Sequence, residues 1–201
     1  MTVLIGMIND ARTDVALIAD RLSRPTEMGL ALGFTADQMS DKTARLGSQC
    51  AIAFSGNALP HEITTRHLDG LANGERQWTL PEVREELDVW LPAVAFAVPL
   101  FNTMTLLLAG QIDGHPVIAS YSKAGNWVPQ PYFHGFACSS PVPSGDFETQ
   151  RQLKAILDEG GDWIGRMQAG VAFCADRYGS VNRSYILRRL SNGFLPEEGE
   201  V

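Results

Sequence analysis

Chemistry can begin at the second residue of this chain. Thr2 follows the initiator Met1 and opens the apolar run Thr2-Val3-Leu4-Ile5-Gly6-Met7. Methionine aminopeptidases remove Met when a small residue follows, so the mature chain can start with a threonine that carries a hydroxyl and a free α-amine together. Such a residue is a nucleophile and its own base. The amine titrates near pH ~8, close enough to neutrality to take the hydroxyl proton, and a neighbouring cation would tune it further. An aspartate and a lysine follow downstream. The plain alternative is that Met-Thr before a β-run is simply how a cytosolic protein starts. What separates the two readings is what the remaining elements bring to the first strand.

Those elements can be read from periodicity. Residues 2–8 and 14–20 form two β-runs joined by the turn Asn9-Asp10-Ala11-Arg12, a hairpin. Residues 22–40, with Pro25, Gly29 and Gly33, fit no single element, although 31–35 has strand character. Residues 42–46 and 49–55 make a second hairpin, turned at Gly47-Ser48. After Gly56 the period changes to that of an amphipathic helix, with Pro60 near its start and Gly74 past its end. Thr79-Leu80-Pro81-Glu82 is a capping-box pattern with proline in the first turn, and Val83, Leu87, Trp90, Leu91 and Val94 mark the stripe of a second helix.

A meander follows, over 103–109 and 116–121, turned at Gln111-Ile112-Asp113-Gly114 and continuing past 123–126 into Trp127-Val128. Helical spacing returns from Asp146, breaks at Gly160-Gly161 and resumes from Trp163 to Cys174. A last strand covers about 181–190, and the acidic tail at about 196–201 is expected to fray. Strands, two helices, strands, two helices and a strand are the order of an α+β, four-layer α-β-β-α sandwich, two antiparallel sheets between helix pairs. At 201 residues one domain spanning 1–201 is expected.

Composition narrows the function. A net charge of −7 disfavours a nucleic-acid partner, and Arg188-Arg189 is the one basic pair that stands out. No run of about 18 apolar residues offers a membrane span, and the N-terminus lacks signal-peptide organisation, so a cytoplasmic location is expected. Cys50, Cys138 and Cys174 are scattered and odd in number, reading as buried small hydrophobes. His61, His67, His115 and His134 have no metal-ligand spacing, and no cofactor or metal is expected.

With this order established, the chain resembles the proteasome-type N-terminal-nucleophile (Ntn) hydrolases: proteasome β subunits, bacterial proteasome-like peptidases and, most of all, the bacterial Anbu (ancestral beta subunit) family. Residues 2–7 are similar to the family's opening Thr-x-x-Val-Gly-Ile. Val15-Ala16-Leu17-Ile18-Ala19-Asp20-Arg21 resembles its second strand, which ends in an Ala-x-Asp-Ser-Arg type sequence. Lys42-Thr43-Ala44-Arg45-Leu46 resembles its Lys-x-x-Arg-Leu strand, and Gly56 stands at the family's spacing beyond the lysine, 14 residues on. Ser55-Gly56-Asn57-Ala58 and Leu107 to Pro116 are similar to the Anbu helix start and Gly-Gly-Gln-Ile-x-Gly-x-Pro turn, and Tyr121 and Gly125-Asn126 continue that pattern. The resemblance covers roughly residues 2 to 128.

The resemblance implies a threonine hydrolase. Thr2 Oγ would attack a carbonyl while the Thr2 amine takes the proton; Lys42 would place a positive charge beside that amine; Asp20 would hold the lysine; the Gly56 N–H would stabilise the oxyanion. Taken singly, each has an ordinary reading, as a turn aspartate, an edge lysine and a flexible glycine. Two regions depart from the pattern. The segments from Thr2 to Asp20 and from Asp20 to Lys42 are longer than usual, and the family's Gly-Ser-Gly turn is replaced by His134-Gly135-Phe136-Ala137-Cys138-Ser139-Ser140, where Ser139 is a candidate for the serine. Asp176-Arg177-Tyr178-Gly179-Ser180 is similar to the Asp-x-x-Ser-Gly-Gly turn, shifted by one residue, making Asp176 and Ser180 further candidates.

Family members house such sites in rings or helical stacks, so the implied partners are further copies of this chain, a peptide or amide substrate and a possible separate ATP-dependent unfoldase, there being no GxxxxGK[ST] loop here. Val94, Phe96, Val98 and Phe101 are candidates for a subunit-facing surface, and Phe54 for a wall of the substrate pocket. The alternatives are a catalytically inactive scaffold of the same fold and a small-molecule amidase.

Overall fold

The computed structural model describes residues 2–23, 38–72 and 77–201. The first hairpin pairs β1 (Leu4–Ile8) with β2 (Val15–Asp20) in the register Leu4 to Ala19 through Ile8 to Val15. Asn9 shapes the turn, its side-chain oxygen accepting the N–H groups of Thr13 (2.8 Å) and Asp14 (3.1 Å). Two short strands, β3 (Leu22–Ser23) and β4 (Gln38–Met39), pair with each other. Then come β5 (Thr43–Gly47), β6 (Cys50–Ser55), α1 (Ala58–Ala72) and α2 (Leu80–Ala97). The meander is β7 (Thr105–Ile112), β8 (His115–Ser122) and β9 (Gln130–Tyr132), followed by β10 (Phe136–Ser139). Helices α3 (Phe147–Asp158) and α4 (Trp163–Arg177) precede β11 (Ser184–Arg189) and β12 (Pro196–Glu200).

These elements form two five-stranded antiparallel sheets, ordered β10-β1-β2-β11-β12 and β5-β6-β7-β8-β9. Period-two alternation assigns their faces. In the first sheet, Val3, Ile5, Met7, Ala16, Ile18, Tyr185 and Leu187 pack with α3 and α4 residues Leu153, Leu157, Met167 and Val171. In the second, Cys50, Ile52, Phe54, Leu106 and Leu108 pack with α2 residues Leu80, Val83, Leu87 and Leu91. The intervening positions, Leu4, Ile8, Val15, Leu17, Ala19, Ala51, Ala53, Leu107, Ala109, Ile118 and Ala137, meet between the sheets. This is the four-layer α-β-β-α order expected from the sequence.

Local signals explain several boundaries. Helix α2 begins where Glu82 Oε2 accepts the Thr79 N–H at 2.9 Å, with Pro81 in the first turn. Asp146 and Asp162 cap α3 and α4 through bonds from the N–H groups of Thr149 and Ile164. The β7–β8 hairpin turns on Asp113 and Gly114, both at positive φ (51° and 79°), as a two-residue primed turn requires.

The C-terminal tail departs from expectation. Instead of fraying, 196–200 is β12, which pairs with β11 along its length. Two of its three glutamates are held by arginines: Glu197 by Arg189 of β11 at 2.7 Å, and Glu198 by Arg21, one residue past β2. An acidic stretch is stable here because its counter-charges arrive from other strands, which a local reading does not see. The strand character expected over 31–35 and the helix stop at Gly74 lie outside the described residues, as does Met1.

Leu17 is fully buried between the sheets, opposite Gly6, where an added Cβ would approach Leu17 Cδ2 to 3.2 Å. Leu17→Ala should therefore cost about 2–5 kcal/mol of stability, read from the urea unfolding midpoint.

Candidate functional site

Asp20 ends β2 and is completely buried. Beyond the last paired residues of the hairpin, its N–H reaches the Val3 carbonyl (3.3 Å), and its Oδ1 accepts the Val3 N–H in return at 2.9 Å. Its Oδ2 accepts the Leu22 N–H at 3.1 Å and the Lys42 ammonium at 3.0 Å. One carboxylate thus ties the residue after Thr2 to the lysine. Lys42 also donates to the Leu22 carbonyl at 2.5 Å, and its own carbonyl accepts the Phe54 N–H at 2.9 Å, which fastens its main chain to β6.

Burial dominates the electrostatics of the pair. It pushes the Lys42 ammonium below the ordinary lysine range, an effect that the negative charge and hydrogen bond of Asp20 oppose. Burial likewise raises the Asp20 carboxyl above the ordinary aspartate range, against Lys42 and the backbone N–H groups of Val3 and Leu22. Thr2 is itself buried, two residues before the start of β1, in the alternation phase of Leu4, which faces the other sheet.

Gly56 follows β6 at the junction with α1. Its φ of +104° lies in the region that favours glycine, and a Cβ there would fall 2.1 Å from the Thr103 carbonyl oxygen. Two independent constraints therefore exclude a side chain. One residue earlier, Ser55 Oγ lies 2.8 Å from Ser139 Oγ, a hydrogen bond that joins β6 of one sheet to β10 of the other. Ser139 is also the cross-strand neighbour of Leu4, two residues from Thr2. Thr2, Asp20, Lys42, Gly56 and Ser139 thus gather at the end of the sandwich where β1 and β5 begin and β2, β6 and β10 finish.

The other candidates lie elsewhere or point elsewhere. Asp176 is on the exposed flank of α4, its carboxylate bound by Arg183 at 2.5 Å. Ser180 is half-buried in the turn between α4 and β11. Phe54 turns into the helix-side core, stacked on the His61 ring of α1 at 4.1 Å. Burial lowers the His61 imidazole below its ordinary value. Of the four proposed surface residues, Phe101 is fully buried and Val94 packs partly against the core, whereas Phe96 is 92% exposed and Val98 is 37% exposed. Cys50 and Cys174 are buried as expected; Cys138 is on edge strand β10 and exposed.

Sequence reading missed Ser55, Asp41 and Thr43. Asp41 Oδ1 accepts both the N–H (2.7 Å) and the hydroxyl (2.6 Å) of Thr43, so Lys42 sits at the centre of a closed Asp-x-Thr turn. The Asp41-Lys42-Thr43 triplet was a visible cue for such a turn.

The two sheets between helical layers, with these residues at one end, make a four-layer α-β-β-α sandwich that solved structures share. By sequence the chain matches no protein-family profile and no curated protein. Among solved structures it is similar to a Gly-1 mutant of Anbu from Hyphomicrobium sp. strain MC1, at TM-score 0.69 and 13% identity, over 100% of this chain and 87% of that one. It is also similar to the eukaryotic HslV of Trypanosoma brucei, at TM-score 0.63 and 16% identity, over 94% of this chain and 98% of that one. Among the described residues, no helix is long and apolar enough to cross a membrane.

The chain has three lysines, Lys42, Lys123 and Lys154, so the Lys42 side chain can be followed individually by NMR of its ε-carbon. Its titration should fall below the ordinary value of about 10.4. In Asp20→Asn it should fall lower still, because the group that opposes the burial effect has lost its charge. Gly56→Ala should lower stability by at least about 1–3 kcal/mol in urea unfolding, the cost of a residue forced into a sparsely populated backbone region.

Proposed function

We propose that this chain is a threonine-type amide or peptide hydrolase that uses Thr2, after removal of Met1, as its nucleophile and works as a homo-oligomer. The observation that supports it best is the buried carboxylate of Asp20, which takes the Val3 N–H and the Lys42 ammonium at the same time. That arrangement brings a cation to the start of the first strand, where an amine that must be neutral to act as a base would stand.

In this reading the Thr2 α-amine takes the hydroxyl proton as Oγ bonds to the substrate carbonyl carbon. The carbonyl π electrons move onto oxygen, and the resulting oxyanion is met by the Gly56 N–H. Collapse breaks the C–N bond, and the leaving amine receives the proton held by the Thr2 ammonium. Water, activated by the same amine, then cleaves the Thr2 ester and releases the acid. Lys42 supplies positive charge that favours the neutral amine, and Asp20 keeps it in place. The fixed Gly56 backbone suits a preorganised donor, a group typically worth about 100- to 1,000-fold in rate. The Ser55–Ser139 pair supplies hydroxyls beside the same strand end. Phe96, bare on α2, together with Val89 on the same helix, offers apolar surface for contact between copies.

The test combines intact mass with a threonine-directed electrophile such as a β-lactone or epoxyketone. The mature protein should lack Met1 and take one label per chain at Thr2. Thr2→Ala and Lys42→Ala should each reduce labelling and amide turnover to background. Retention of Met1 in a turning-over enzyme would sink the threonine mechanism.

A further inference from the structure

Lys42 is not inside a strand. It stands one residue before β5, at the end of a connection whose nearest regular element, β4, pairs with β3. Its position depends on what holds its two neighbours. Both are held from the opposite sheet by one side chain. Arg188, on β11, faces the space between the sheets, opposite in phase to Tyr185 and Leu187, which face the helices. Its guanidinium donates from Nε to Thr43 Oγ1 at 2.5 Å, from Nη2 to Asp41 Oδ2 at 2.7 Å, and from Nη1 to the Phe194 carbonyl at 3.0 Å.

The polarity of the network is complete. The Thr43 hydroxyl accepts from Arg188 and gives its proton to Asp41 Oδ1, while Asp41 Oδ2 takes the guanidinium. A planar fork reaches the residues on both sides of Lys42, which a single ammonium cannot reproduce. The same β11 that carries Arg188 pairs with β2, where Tyr185 stands opposite Asp20. Anion and cation are therefore both referenced to one strand.

We infer that Arg188 is the positioning residue for Lys42: it clamps Asp41 and Thr43, fixes the ammonium against Asp20, and neutralises the one carboxylate adjacent to the lysine in sequence. This rests on the threonine-hydrolase reading above. Among the described residues, the charged and titratable groups around Lys42 are Asp20 from β2, Asp41 in the preceding turn and His61 from α1, with Arg188 from β11 beyond Asp41 and Cys174 from α4 beyond Asp20.

The experiment is the rate of Thr2 labelling by an epoxyketone across pH for the wild-type chain, Arg188→Met, Asp41→Asn and Arg188→Lys, with a melting curve for each. Both Arg188→Met and Asp41→Asn should label about 10- to 100-fold more slowly, the scale of an ångström-size misplacement of a catalytic group. Their pH midpoints should move in opposite directions. Arg188→Met leaves the Asp41 charge unopposed, which favours the protonated Thr2 amine and raises the midpoint. Asp41→Asn leaves the guanidinium unopposed and lowers it. Arg188→Lys, which keeps the charge and loses the fork, should keep the wild-type midpoint at an intermediate rate. Slower labelling with unmoved midpoints and a matching loss of melting temperature would overturn the inference in favour of plain scaffolding, as would wild-type rates in Arg188→Met. A wild-type chain that takes no label would instead overturn the threonine reading, and the inference with it.

Discussion

One end of the sandwich depends on a single buried ion pair, between the last residue of β2 and the residue before β5. Removing a carboxylate and an ammonium from water costs several kcal/mol per ion, and their attraction offsets this only when hydrogen bonds satisfy both groups. Asp20 meets that condition with N–H groups from Val3 and Leu22 as well as the Lys42 ammonium, and Lys42 with the Leu22 carbonyl. The bonds do more than stabilise charge. They hold the beginning of the first strand, the end of the second and the approach to the fifth in one fixed relation, which a pair of exposed charges would not do.

The layer between the sheets mixes small and large side chains. Ala19, Ala51, Ala53, Ala109 and Ala137 line it, and at Gly6 an added Cβ would meet Ile118 at 3.2 Å. Larger side chains, Leu4, Leu17, Leu107, Ile118 and Phe194, fill the rest of that layer, and Met7, Ile18, Phe54 and Tyr121 lie on the helix-facing sides. Facing sheets usually stand about 10 Å apart, too far for two serine side chains to touch. The 2.8 Å contact between Ser55 and Ser139 exists because the sheets close to less than that where β6 and β10 end.

The sequence was most legible where the physics is local. The Thr79–Glu82 cap, the Asp113-Gly114 turn and the alternation of β1 and β2 all act within a few residues, and they carried the layer order. Asp20, Lys42 and Gly56 were found through their order in a family pattern. Arg188 was visible only as half of a basic pair, because Asp41 and Thr43 lie more than 140 residues away. The same non-locality hid β12, whose glutamates look like a solvated tail until Arg21 and Arg189 are placed beside them. Phe54 shows a further limit. Periodicity groups it with Cys50 and Ile52, but it does not say which of two apolar layers that face will meet.

The strand at the C-terminus has a consequence for how copies of this molecule can approach one another. Sheets with bare edges invite a neighbour's strand, and one edge of each sheet here discourages it. The outer edge of one sheet is Pro196-Glu197-Glu198-Gly199-Glu200, with a proline that has no N–H to offer and with Glu197 and Glu198 committed to Arg189 and Arg21. The outer strand β9 of the other carries Pro131 at its centre. Growth by continuous backbone hydrogen bonding is thereby disfavoured at these two margins, which leaves β10 and β5 as the other strand edges of the two sheets and directs any contact at the β12 and β9 sides toward side chains, whose geometry, unlike a strand edge, can be closed and finite.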